Sequence, residues 1–195
     1  MKKIRRNALF VALMAGSLSL TACGENKEKK EAAAEPMQHE MHEGEMKEDM
    51  SSEMQAYKEQ ETTAEFKDET VAKVYKQYLE IKDALVNTNA EEAKAAAEGL
   101  ASSLEEAGKE EALAAAKNIA ESDDVNKQRE AFSKLTASME GVLKGALKSG
   151  EIYKQFCPMA FEGKGDYWYS NSKDIYNPYY GEKMLKCGRV DATIK

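Results

Sequence analysis

Two short clusters near the C-terminus carry the donor chemistry of this chain. Phe156-Cys157-Pro158-Met159-Ala160 and Lys183-Met184-Leu185-Lys186-Cys187-Gly188 each set one thiol and one thioether within three residues. Soft sulfur donors select Cu(I), and a pair of thiolates also suits zinc or the equally soft silver ion. Cys157, Met159, Met184 and Cys187 are therefore a candidate metal site. Pro158 fixes the backbone beside one thiol, and Gly188 lets the chain turn tightly beside the other. The spacing serves a disulfide equally well. Two cysteines in one small unit pair readily in an oxidising compartment, and closing a loop of about 30 residues stabilises a fold by roughly 3 to 4 kcal/mol. In that case no metal is held, and Met159 and Met184 are ordinary packing residues.

A second, looser donor set lies upstream. Met37, His39, Met41 and His42 open a stretch that runs on to Met54 and holds five of the ten Met and both His of the chain. Thioether and imidazole groups on a polar segment suit weak, exchangeable copper binding, a secondary metal site. The alternative is a solvated linker in which Met and Glu only fill space.

The third cysteine, Cys23, has a different setting. Lys2, Lys3, Arg5 and Arg6 precede an apolar run from Ala8 to Leu20, and Leu20-Thr21-Ala22-Cys23 follows. A positive start, a short apolar run and small residues at the cut make a secretory signal. About 13 apolar residues are too few to span a bilayer core of about 30 Å as a helix. Leu-Thr-Ala-Cys looks like a lipobox, which makes Cys23 the lipid attachment point. Residues 1–22 are then the signal peptide, and the mature chain is held in the cell envelope by its lipid. Gly24, where some inner-membrane lipoproteins carry Asp, points to the periplasmic face of the outer membrane.

Enzyme chemistry finds little support. Both His fall in the upstream stretch, so the remainder has no imidazole to pair with a Ser or Cys nucleophile. No Gly-rich phosphate loop or two-His zinc helix is present. Nucleic acid is also a poor partner. The formal charge is -7 and no basic stripe displaces phosphate counterions. Acid is concentrated between Gly24 and Glu65, where 13 acids face 5 bases, and such a field attracts cations.

The elements that must position these residues follow from periodicity. Residues 23–65 lack an apolar repeat and read as a disordered acidic tether. Residues 66–195 read as a mostly α domain, a four-helix up-down bundle with a small irregular, β-hairpin unit rich in Cys and Tyr at its C-terminus. In the bundle, 66–150, apolar residues recur at three- and four-residue spacing: Val74, Tyr75, Tyr78, Leu79, Ile81 and Leu85 in the first helix. Thr88 or Asn89, followed by Glu91 and Glu92, caps a second helix carrying Ala93, Ala97, Leu100 and Leu104. A third runs from Lys109 to Glu121 with Leu113, Ala116 and Ile119. Ser122, Asp123 and Asp124 are caps for a fourth with Val125, Phe132, Leu135, Met139, Val142 and Leu143, and Gly150 stands where it stops. The C-terminal unit, 151–195, contains most of the tyrosines, the one Trp and two of the three Pro. Ile152 to Phe156 and Tyr167 to Tyr169 read as a hairpin. Tyr167, Trp168, Tyr169, Tyr176, Tyr179 and Tyr180 supply its core in preference to a ligand platform.

Several of these stretches resemble one family. Val74-Tyr75-Lys76-Gln77-Tyr78-Leu79-Glu80-Ile81-Lys82-Asp83-Ala84-Leu85-Val86 resembles the first helix of domain-of-unknown-function family thirty-three forty-seven. Phe132-Ser133-Lys134-Leu135 continues the likeness. It is clearest through Cys157-Pro158-Met159-Ala160, Tyr167-Trp168-Tyr169-Ser170, Asn177-Pro178-Tyr179-Tyr180-Gly181 and Met184-Leu185-Lys186-Cys187-Gly188. Members of that family occur as lone lipoproteins and fused to periplasmic subunits of heavy-metal efflux pumps. The Cys-Pro-Met is similar to that of other heavy-metal-binding domains on such pumps. The resemblance implies a periplasmic lipoprotein that binds a soft metal ion, most of all Cu(I), in copper or heavy-metal homeostasis or efflux, with a pump subunit as partner. The rival expectations are a metal-free, disulfide-stapled envelope adaptor and, more remotely, a carrier of a small apolar ligand between bundle and aromatic unit.

Overall fold

A computed structural model describes residues 56–195. Cys23, Met37, His39, Met41 and His42 lie outside the described residues, as does the signal peptide. Four long helices pack consecutively, each chiefly on its neighbours in sequence: α1 (Glu69–Val86), α2 (Ala90–Glu106), α3 (Glu110–Ala120) and α4 (Val125–Leu143). The fold is mostly α, with small antiparallel sheets beside the bundle. Among the described residues no helix is long and apolar enough to cross a membrane.

The caps fall where short polar side chains allow them. The Asp68 carboxylate accepts from Thr70 N at 2.7 Å to start α1, the Asn89 amide oxygen accepts from Glu92 N to start α2, and Asp124 accepts from Asn126 N and Lys127 N to start α4. Each satisfies a donor that the first turn leaves unpaired. Tyr75, Tyr78, Ile81 and Leu85 of α1 meet Phe132, Leu135 and Met139 of α4 in one continuous core. The inner faces of α2 and α3 are mostly Ala, with Leu100, Leu104 and Ile119 fully buried between them. Leu113 is only half-buried, because Ala112 and Ala115 take the inward positions of α3.

Two expectations about the bundle's ends are corrected. The fourth helix stops at Leu143, not Gly150, because the chain turns at Gly145 (φ 67°) and enters β2 (Leu147–Ser149). That strand pairs antiparallel with β1 (Glu65–Phe66), just ahead of α1. The last residues of the expected tether are also ordered on the body. Tyr57 stacks on Tyr176 with ring centroids 3.9 Å apart, and the Asn87 side chain exchanges two hydrogen bonds of 2.8 Å with the Tyr57 backbone. Glu59 and Ala64 are buried. Aromatic area and paired polar groups outweigh here the ordering entropy that composition alone favours.

The C-terminal unit is a three-stranded antiparallel sheet in the order β4 (Asp166–Ser170), β3 (Ile152–Cys157), β5 (Arg189–Ile194). The β3–β4 hairpin is the expected one. The edge strand β5 is additional; its Arg-Val-Asp-Ala-Thr-Ile sequence is largely exposed and so carries little apolar signal. The unit docks on the bundle through aromatic area, with Trp168, Tyr169 and Tyr179 buried and Tyr167, Tyr176 and Tyr180 half-buried. Buried Arg129 of α4 locks the two parts together. Its Nε donates to Pro178 O at 2.8 Å, and its Nη2 to Leu85 O and Thr88 Oγ1 at 3.1 Å.

Candidate functional site

The sheet register brings the two sulfur clusters together. Cys157 ends β3 opposite Asp166 of β4. On the other edge, Phe156 pairs with Arg189, the first residue of β5, so Cys187 arrives just ahead of that strand. Cys157 Sγ and Cys187 Sγ lie 3.0 Å apart, both as free thiols. Cys157 is fully buried, whereas Cys187 is partly exposed.

Met159 and Met184 sit on the same two segments and face water instead of a core. They are 49% and 37% exposed, the two exposed large hydrophobics among the described residues. A methionine used for packing is covered; these two are not. The hydrogen bond from Cys157 pushes the Cys187 thiol up, burial adds to this, and the Met159 N–H opposes it. Cys187 therefore holds on to its proton until something stabilises its thiolate form.

Two residues outside the sulfur set position both clusters. Asn177 Nδ2 donates to Cys187 O at 2.8 Å, while its Oδ1 accepts from Tyr179 N and Tyr180 N. The Tyr180 hydroxyl donates to Met159 O at 2.6 Å. The Asn177–Tyr180 turn is thus a bracket across the two segments, and Arg129 fastens it to α4 through Pro178 O. The sequence marks this stretch as an Asn-Pro turn, but the bracket depends on partners distant in sequence. The loop after Met159 is strained. Phe161 and Glu162 are consecutive left-handed residues at φ 50° and 61°, a conformation that costs on the order of 1–3 kcal/mol per residue and gathers at functional sites. Among the described residues no group of three or more His, Cys, Asp and Glu is placed to hold a metal ion.

A buried polar cluster lies apart from the sulfur site. Lys82, fully buried on the core stripe of α1, is ion-paired with Glu59 and donates to the Tyr57 hydroxyl at 3.1 Å. Glu59 accepts from Ser170 Oγ, and its backbone N–H donates to Asp83 Oδ2 at 2.8 Å. A Lys three residues before Leu85 and four after Tyr78 was the available signal. Its partner Glu59, within the supposed tether, gave none.

Residues 74–150 match the family model described as protein of unknown function (DUF3347). The match spans α1 to β2, less than half of the chain, and ends before the first sulfur cluster. No curated protein and no solved structure matches the chain.

Proposed function

We propose that this chain is an envelope lipoprotein, anchored through Cys23 at the periplasmic face of the outer membrane, that binds soft metal ions, Cu(I) above all. Cys157 and Cys187 supply thiolates, and Met159 and Met184 supply thioethers. Met37, His39, Met41 and His42 form a weaker loading site on the tether. The reading rests on one observation: two thiols 3.0 Å apart with two water-facing methionines on the same segments. The donor set is all sulfur, which favours Cu(I) or Ag(I) over harder ions, with zinc admitted by the two thiolates. Around a zinc-like ion at about 2.3 Å from each sulfur, tetrahedral thiolates stand roughly 3.8 Å apart, so the pair opens by under ~1 Å on loading. Each thiol would release its proton to solvent as its sulfur binds the metal. A solvent-facing thioether on each side suits passing an ion onward, and a heavy-metal efflux subunit is the partner this implies. Binding and transfer, without catalysis, is the activity proposed.

Cu(I) titration of the reduced full chain against a competing chelator is the test. One ion binds tightly, and Cys157→Ala removes that binding. Equal affinity in the variant rules the site out.

The short sulfur separation also supports a second reading, a disulfide-stapled envelope adaptor without metal. A disulfide needs about 2.05 Å between sulfurs, and closing from 3.0 Å asks little of two facing thiols. Thiol counting on protein alkylated directly in cells separates the two. Thiols that stay blocked whatever the copper supply favour the adaptor.

A further inference from the structure

Cys157 and Cys187 differ sharply in access, although their sulfurs lie 3.0 Å apart. Cys157 closes the central strand β3, which is paired with β4 on one edge and β5 on the other. Its side chain belongs to the hydrophobic core, and the residue is 0% exposed. Cys187 lies in the bend between a single 3-10 turn, Gly181–Met184, and β5, and is partly exposed. Its backbone N–H donates to Met184 O, and its carbonyl accepts from Asn177 Nδ2. A reagent arriving from water therefore meets Cys187 first, with Cys157 behind it.

An outer thiol backed by an inner one is the arrangement that thiol–disulfide exchange requires, because attack needs access and resolution needs a second sulfur close by. Closing the pair brings the sulfurs from 3.0 Å to about 2.05 Å. The bond so formed is buried at one sulfur and open to water at the other. Exposed disulfides are the labile ones, whereas a structural staple resists reduction. The access that admits an oxidant to Cys187 also admits a reducing thiol. Cys187 is less exposed than Met159 and Met184 on the same two segments, which suits a small carrier over a disulfide set in a protein surface.

We propose that the pair exchanges reversibly with small disulfides, Cys187 as the attacking thiol and Cys157 as the resolving one, and that closure empties the metal site. Cys187 sulfur attacks one sulfur of the small disulfide. A bond forms between them, the carrier's own S–S bond breaks, and one carrier thiol leaves with the electron pair and a proton. Cys157 sulfur then attacks Cys187 sulfur, the Cys157–Cys187 bond forms, and the second carrier thiol leaves in the same way. Two protein thiols are oxidised and one small disulfide is reduced to two thiols; reversal needs only a reducing thiol at Cys187. Closure removes both thiolates from the donor set and leaves the thioethers of Met159 and Met184, which hold an ion weakly. That consequence rests on the metal reading above; the exchange itself does not.

The full chain carrying Cys23→Ser, in which the pair are the remaining thiols, is reduced and treated with glutathione disulfide, and its mass is followed. The pair closes without a lasting glutathione adduct, and two molecules of glutathione are released per chain. With Cys157→Ser added, one glutathione stays on Cys187; with Cys187→Ser added instead, Cys157 reacts about tenfold more slowly or less until urea exposes it. Limited alkylation of the unsubstituted pair with iodoacetamide, mapped by peptide, gives the same order and decides the matter where a serine variant does not fold. The closed chain loses Cu(I) binding and dithiothreitol restores it. Equal alkylation of the two thiols, two glutathiones retained on the pair, or a closed chain that binds Cu(I) as tightly as the open one overturns the proposal. A chain that traps glutathione on Cys187 yet binds no Cu(I) when reduced upholds the exchange and overturns only the metal reading.

Discussion

The Tyr78 hydroxyl accepts the Tyr169 backbone N–H at 3.1 Å, so a core residue of α1 completes the hydrogen bonding of a strand 91 positions away. It also pairs with Thr136 Oγ1 of α4 at 2.9 Å, and its ring stacks on Phe132 with centroids 5.0 Å apart. The sheet that carries Cys157 is thereby fixed to two helices through one oxygen.

Tyr78→Phe keeps the ring and leaves Tyr169 N–H without that acceptor in a dry interior. The expected cost is roughly 1–3 kcal/mol, the penalty for an orphaned buried donor. It is read from the urea midpoint with the slope unchanged.

Gly188 has φ 151°, and a Cβ there would stand 2.9 Å from the Trp168 ring and 3.1 Å from Phe156 O. Gly188→Ala is expected to destabilise the fold by about 2–4 kcal/mol, through backbone strain and overpacking beside Cys187. Thermal unfolding measures it. A loss under half a kilocalorie would mean that the turn has room to relax.

Burial raises the Asp83 carboxyl from 3.8 to about 7, with Lys82 and Lys58 pulling the other way and Glu80 adding to the rise. Between those values the folded chain keeps a proton that the unfolded chain has released, so stability falls as pH rises through the window. Burial also lowers the Lys82 ammonium from 10.5 to about 8, against the favourable charge of Asp83. There the unfolded chain holds the extra proton, and stability recovers as pH climbs from about 8 towards 10.5. Asp83→Asn removes the acid limb. Melting temperatures collected from pH 4 to pH 7 should therefore fall in the parent and stay flatter in the variant.

For the sulfur site, Met159→Leu and Met184→Leu are each expected to weaken Cu(I) by roughly tenfold, or about 1.4 kcal/mol, without unfolding the protein, since both side chains are exposed. Binding weakens as pH falls, because the Cys187 thiol, held up by its hydrogen bond to Cys157, must give up its proton. Chelator competition at two pH values measures both effects. Affinity independent of pH would argue against thiolate ligation.

By itself the sequence determined the local architecture. Asn89 and Asp124 cap helices because their short side chains reach the first free N–H groups, and Tyr75, Tyr78, Ile81 and Leu85 face inward because they recur at the helical period. The β3–β4 hairpin and the aromatic interior of the C-terminal unit were legible for similar reasons of spacing and composition. Only the tertiary structure decided what depends on partners distant in the chain. The polar edge strand β5 is held by its ladder to β3 and has little apolar pattern of its own. Residues 56–65 read as solvated linker until Tyr176 and Lys82 supply a ring and a counter-charge. The two cysteines are 30 positions apart, and their type and spacing marked them as a pair. Their 3.0 Å separation, the exposure of the flanking methionines and the Asn177–Tyr180 bracket exist only once β3 and β5 are side by side.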